Sequence, residues 1–330
     1  PMSSRNQPFR GFMKPISSSS PTRQPARPRP WRFPLLLLAA LLGLCLDLCP
    51  GTPESAWAQG VAVTDDLGRE VCLTAPARRI VPLYGAFIDI LTGMGLSERI
   101  TARTEADPAP ADRADLPVIG THMRPNLERV LAVKPDLILQ MDGRGEAREA
   151  AEQLAALGLP TAVFSISDFA GLFAAIQRVG VLTASEDAAA ALAASLKLRL
   201  DAVAARIPAG TRPSVFFEAR SGSLLAAGAG SMVDAVITAA GGNNTVTTPK
   251  KLVRLSDEEL LRLAPAVCLT QRGPMNPEAR PMAERPEYAA LPCVRDGRAF
   301  VVDEARFSRP GPGSVAAVEE LARLLSGSPS

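Results

Sequence analysis

Histidine is almost absent from this chain: His122 is the only one in 330 residues. One imidazole excludes zinc sites built from several histidines and two-histidine metal clusters. It also leaves a serine nucleophile a single candidate base, and no Gly-x-Ser-x-Gly elbow is present, so serine-hydrolase chemistry has no support. Aromatic residues make up 5% of the chain, and both tryptophans, Trp31 and Trp57, lie near its front. Of five cysteines, the three beyond residue 58 (Cys72, Cys268 and Cys293) show no Cys-x-x-Cys spacing, which removes thiolate metal and redox sites. The run Gly228-Ala229-Gly230-Ser231 lacks the Gly-Lys-Ser/Thr of a phosphate loop and the third glycine of a dinucleotide site, so it reads as a tight turn before a helix.

What is present is apolar and globular. Hydrophobic residues are 47% and charged residues 21%, enough for packed cores. A chain of 330 residues suits two lobes of roughly 100–150 residues each. The front reads as a leader over residues 1–58: seven Lys/Arg lie in it, and an apolar run, Leu35 to Leu46, is followed by Ala56-Trp57-Ala58. That is the order of a signal peptide, and the run is short of the ~20 residues a membrane-spanning helix needs. Cleavage is expected near Ala58-Gln59, with a periplasmic mature protein. The residues before Cys45 and Cys49 are leucines, too large for a lipoprotein signal. Beyond residue 58 there remain 29 basic and 32 acidic residues, a net −3, against +2 for the whole chain. Nothing in that part resembles the basic patch of a nucleic-acid binder.

From residue 79 onward, short apolar runs alternate with helical patterns: 80–83, then 87–94, 127–133, 137–139, 147–157 and 161–164, with a turn cluster at 165–168. This alternation predicts βαβ units and parallel sheet. An N-terminal lobe is expected over 59–180. A long helix follows, about Ser185 to Arg206 within a connector at 181–207. Thr183 and Glu186 are spaced as a capping box, and Pro208 and Gly210 supply the stop. The C-terminal lobe, 208–330, restarts with a strand at 214–217 and helices at 231–240 and 256–263. Cys268 and Cys293 each lie beside a predicted strand there, and form either a bridge or two buried thiols.

Residues 126–139 and 256–269 echo one another at a constant offset of 130. Each copy is a polar cap, an acidic first turn, two apolar turns, a proline and a buried strand. Two equivalent lobes facing each other are the simplest structure with this property. Glu259 is spaced as the capping-box partner of Ser256.

Four segments, in order, carry a family resemblance: Arg78 to Leu83, Pro125-Asn126-Leu127-Glu128 through Lys134-Pro135-Asp136-Leu137-Ile138, Ala239 to Asn243, and Ser256 through Pro265. Over about residues 62–325 the chain resembles the iron-siderophore and cobalamin class of periplasmic binding proteins. The resemblance implies an α/β fold of two Rossmann-like lobes joined by a single long backbone helix, the class III architecture. It also implies a metal-chelate ligand (corrinoid, ferric siderophore or haem) in a largely preformed cleft, with no intrinsic cofactor. The partner it implies is an ABC-importer permease at the inner membrane, served by a monomeric binding protein. A glutamate on the cassette helix of each lobe docks the permease in that family, and those positions fall on Glu128 and Glu258. An acidic residue in a first helical turn also complements the helix dipole, and for Glu259 that reading suffices.

Ligand contacts are expected at the C-terminal ends of strands, where open α/β sheets bind ligands. The candidates are Tyr84, His122, Arg124, Met141, Arg144, Glu218, Arg220, Arg272, Arg306 and Phe307. Rings stack on a flat chelate and guanidinium groups grip carboxylates. His122 is either an axial metal ligand or a loop histidine bonded to backbone. With no tryptophan beyond residue 58, the cleft is expected to be walled by Met, Leu and Arg. An alternative is a chelatase-like or metallocluster-assembly enzyme on a related scaffold. It would need an acid/base or ligand cluster that one histidine hardly supplies. An exported sensor without an importer is a third reading.

Overall fold

The computed structural model describes residues 60–143, 145–210 and 212–327. The leader, the cleavage site and Arg144 lie outside the described residues. Among those residues no helix is long and apolar enough to cross a membrane.

A hairpin of β1 (Val61–Thr64) and β2 (Glu70–Leu73) precedes the first βα unit. Then come β3 (Ile80–Pro82), α1 (Gly85–Gly93), α2 (Leu127–Ala132), β4 (Leu137–Met141), α3 (Gly145–Ala156) and β5 (Thr161–Phe164). The three strands form a parallel sheet in the order β3-β4-β5. Every residue of β4 and β5 is buried. Unbroken apolar strands are what a parallel sheet covered on both faces requires.

The next helix, α4 (Phe169–Thr183), is one that the turn cluster concealed. Asp168 ends that cluster, and as the helix N-cap its carboxylate accepts the Gly171 N–H at 2.7 Å. The chain passes through Ala184 in the left-handed region (φ 45°) into α5 (Glu186–Ala204). The Thr183–Glu186 capping box does not form. Thr183 is the last residue of α4, and its hydroxyl donates to the carbonyls of Val179 and Gly180 instead. At ~1.5 Å per residue, the 19 residues of α5 span about 28 Å. It packs on α4 at close range, where a Cβ at Gly180 would come within 2.7 Å of the Ala189 Cβ.

The second lobe comprises β6 (Ser214–Arg220), β7 (Leu225–Ala227), α6 (Met232–Ala239), β8 (Asn243–Asn244), β9 (Leu252–Arg254), α7 (Asp257–Leu263) and β10 (Val267–Arg272). It closes with α8 (Pro292–Arg295), β11 (Ala299–Asp303), α9 (Glu304–Phe307) and α10 (Gly313–Ser326). β11, β10, β6 and β8 run parallel, as expected. β7 alone runs against the others, antiparallel to both its neighbours β6 and β9, which the βα pattern does not foresee. The link from β6 to β7 is a single tight turn ending at Leu224 (φ 39°), and a parallel return would need a crossover of a dozen or more residues. Arg199 of α5 grips Glu319 of α10 through two bonds of 2.8 and 2.7 Å, fastening the linking helix to this lobe.

The sequence echo is structural. Asn126 and Ser256 cap α2 and α7 by accepting the N–H three residues on, and the Ser256–Glu259 capping box is complete. Lys134 (φ 44°) and Ala264 (φ 43°), also 130 apart, both take the left-handed conformation before their prolines. Burial classes agree position by position from 128–141 to 258–271.

Cys268 of β10 and Cys293 of α8 form a disulfide, whereas Cys72 is free and exposed. The bridge closes a loop of 25 residues, which in the chain-entropy account is worth about 3.5 kcal/mol. Urea unfolding of a Cys268→Ala/Cys293→Ala variant is expected to show that loss relative to the oxidised protein.

Candidate functional site

The C-terminal ends of β3, β4, β6, β10 and β11 converge on a cavity of 480 Å³ walled by both lobes. Small-molecule sites are typically about 300–1,000 Å³. From the first lobe come Tyr84, Thr104, Asp107, His122, Met123, Met141 and Asp142. From the second come Arg220, Met232, Lys251, Gln271, Met275, Glu304, Ser308 and Arg309. Four methionines and an aromatic pair on a nearly tryptophan-free chain make a soft, polarizable lining.

Tyr84 occupies the turn between β3 and α1, and its ring meets that of His122 edge-on, with centroids 5.3 Å apart. Burial pushes the Tyr84 phenol up to about 12. Burial also lowers the His122 imidazole, against a smaller opposing effect of Asp107. Both rings are therefore neutral at pH 7. The loop holding His122 is tied down by Gln140, whose amide donates to the His122 carbonyl at 2.7 Å.

Asp107 and Arg309 form an ion pair of 3.2 Å between the lobes, with side chains only 5% and 15% exposed. Thr104 donates to the other Asp107 oxygen at 2.6 Å. The pair lies against the first residue of α1, Gly85, where any Cβ would collide with both side chains. Asp89, one turn along α1, is pushed up to about 6, chiefly by burial, with Arg309 opposing and Asp107 reinforcing the shift. Gln271 is fully buried: its Oε1 accepts from Ser308, and its Nε2 has no partner among the described residues.

Of the strand-end candidates, Tyr84, His122, Met141 and Arg220 line the cavity. Five others do not. Glu218 is fully buried inside β6, where Arg285 chelates it and Thr270 donates to it at 3.1 Å. Phe307 is in the core, stacked on Phe217 with centroids 6.1 Å apart. Arg124 is exposed and pairs with Glu146 at 2.8 Å. Arg272 donates to the Ala279 carbonyl at 3.1 Å, and Arg306 pairs with Glu320 at 3.2 Å. Sequence reasoning missed Asp107, Lys251, Gln271, Glu304 and Arg309. The Pro/Gly run after Arg309 was the one local signal, since it holds that segment in a loop. Among the described residues, no group of three or more His, Cys, Asp or Glu is placed to hold a metal ion.

A family model described as periplasmic binding protein matches residues 80–305, which include both βα halves and the linking helix. The chain belongs to the periplasmic binding protein family. Its two lobes and single linking helix are the class III architecture of that family. Over 305 residues it is 25% identical to an ABC transporter substrate-binding lipoprotein of Bacillus subtilis, covering 88% of this chain and 95% of the relative. Among solved structures, an ABC-type Fe3+-hydroxamate transport system protein of Saccharomonospora viridis superposes with a TM-score of 0.68 at 24% identity, over 80% of this chain and 98% of its own. The periplasmic vitamin B12-binding protein of Vibrio cholerae gives 0.66 at 21%, over 76% and 97%. At these identities the solved structures establish the fold.

The Asp89 carboxyl generates a pH signature. Its folded value, about 6, lies above the ordinary aspartate value of 3.8, so its contribution to stability is full below about pH 4 and is lost as pH rises through 6. Urea unfolding of the protein and of Asp89→Asn, compared from pH 4 to 7, is expected to show the wild type losing stability relative to the variant. The opposite slope contradicts the assignment.

Proposed function

We propose that this chain is the substrate-binding component of an ABC importer. In this reading it is exported to the periplasm by its leader, works as a monomer, performs no chemistry, and captures a metal chelate in the inter-lobe cleft. The carrying observation is the asymmetry of the cleft walls. On the first-lobe wall Tyr84 and His122 are neutral rings beside Met123 and Met141, and its two acids are already engaged, Asp107 by Arg309 and Asp142 by Arg148. The opposite wall brings Arg220 and Lys251, which form no ion pair among the described residues, the unpaired Gln271 amide, and Glu304, whose carboxylate accepts the Met275 N–H at 2.8 Å and feels the charges of Arg309 and Arg220. A ligand with a flat, soft face and an anionic or carbonyl-rich edge matches both walls at once. Corrinoids and haem offer both the flat face and the polar edge, and ferric siderophores offer the anionic, carbonyl-rich edge. Tyr84, His122, Met141 and Arg220 are the proposed contacts, with Lys251 and Gln271 added.

Delivery uses the surface. Glu128 and Glu258 are exposed, occupy equivalent places in the two lobes, and have no hydrogen bond or ion pair among the described residues. Two like carboxylates on a pseudo-symmetric protein suit a permease of two like subunits.

Purified protein incubated with cobalamin, cobinamide, haem and a panel of ferric siderophores, then gel-filtered, is expected to carry one coloured ligand per chain. Arg220→Ala/Lys251→Ala is expected to weaken that binding at least about tenfold. Elution of every chromophore free of protein would overturn the chelate reading. Charge reversal, Glu128→Arg with Glu258→Arg, is expected to abolish uptake while leaving ligand binding unchanged.

A further inference from the structure

Leu131 and Leu261 are two of four large apolar side chains standing exposed among the described residues, at 43% and 39%. A scattered surface leucine needs no explanation. These two are not scattered: they occupy the same place in the repeated cassette, 130 residues apart. Each follows a docking glutamate by three residues on the same short helix, so Glu128 and Leu131 on α2, and Glu258 and Leu261 on α7, are neighbours on one helix surface. Burial does not demand leucine there. The buried residue of each helix is the one before, Val130 or Leu260.

The acidic residues around this pattern divide cleanly. On α7, Asp257 accepts from the Tyr288 hydroxyl at 2.6 Å and Glu259 closes the cap on Ser256, so both serve the lobe's own structure. Glu258 serves nothing internal, and neither does Glu128 on α2. The one basic side chain in the last turn of α2, Arg129, donates to the Val118 carbonyl at 3.0 Å. Each lobe thus displays one uncommitted carboxylate beside one uncommitted leucine.

We propose that Leu131 and Leu261 are the apolar halves of two equivalent docking patches. Their occupant is a membrane permease of two like subunits, each offering a basic side chain beside an apolar socket. The inference rests on the reading of this chain as an importer's binding component, and it adds what that reading lacks, a desolvated anchor. An exposed ion pair alone is worth little in water, whereas a leucine that excludes water beside it contributes burial and strengthens the pair. The partner presents the same surface twice because the patches are the same chemistry twice.

The test places a photo-activatable benzoyl-phenylalanine at position 131, 261, 128, 258 or 198 of the full chain, in the bacterium that makes it. Cross-linked peptides are then identified by mass spectrometry. Leu198 is the control, 71% exposed on α5 and outside both patches. Positions 131 and 261 are expected to cross-link to an ABC permease subunit, and 198 to none. With that permease purified in nanodiscs, Leu131→Ala and Leu261→Ala are each expected to weaken docking about tenfold, with circular dichroism and ligand binding unchanged. Cross-links from 128 and 258 but not from 131 and 261, or leucine variants that dock as tightly as wild type, would overturn the leucine anchors and leave the importer reading standing. Absence of permease cross-links from all four patch positions would overturn both.

Discussion

Asp107 and Arg309 meet between the lobes almost out of reach of water, and the shape of the cleft depends on that contact. A buried charge without its partner is costly, so neither side chain can leave alone. The pair is seated on Gly85, at the start of α1, where a side chain would push it out. Tyr84 precedes that glycine, and Glu304 and Ser308 lead into the arginine, so cleft walls from both lobes are registered through one point. At the rear, α5 does the complementary work: it lies against α4 of the first lobe and is bolted to α10 of the second by Arg199 and Glu319. One helix behind and one ion pair in front leave few backbone hinges, which makes a largely preformed cleft the natural outcome.

The same pair shapes the electrostatics. By engaging Arg309, Asp107 spends the negative charge of the first-lobe wall and leaves the Tyr84–His122 pair as a neutral surface. Across the cleft Arg220 and Lys251 form no ion pair among the described residues, and Glu304 on that wall accepts the Met275 N–H at 2.8 Å. The Glu218–Arg285 pair, by contrast, is sealed inside the second lobe, where Arg285 also stacks over Tyr288 at 4.9 Å. It builds the platform and takes no part in the wall.

Much of the fold was legible because its units are local. The cassette of cap, helix, proline and strand is written in consecutive residues, and both copies fold as read. The left-handed turns at Lys134 and Ala264 were not legible, since neither residue type favours that conformation. Helix α4 was hidden behind its own N-cap, Asp168, which reads equally well as a turn. In the cleft, the strand-end rule found residues two positions beyond a parallel strand, such as Tyr84, and residues on a strand's final position, such as Met141 and Arg220. It misplaced Glu218, which sits two residues inside its strand, and Phe307, which a short helix carries into the core. Asp107 and Arg309 belong to loops without periodicity and are 202 positions apart in sequence, so no local pattern could have paired them.

The central claim, that the cleft between Tyr84, His122 and Arg220 holds a metal chelate, is tested most directly by anomalous diffraction at the iron or cobalt edge from crystals grown with a bound chelate. The account predicts one strong anomalous peak per chain inside that cleft, between the neutral first-lobe wall and the Arg220–Lys251 wall. A peak elsewhere on the surface, or an empty cleft in crystals whose protein carries the metal, would contradict it.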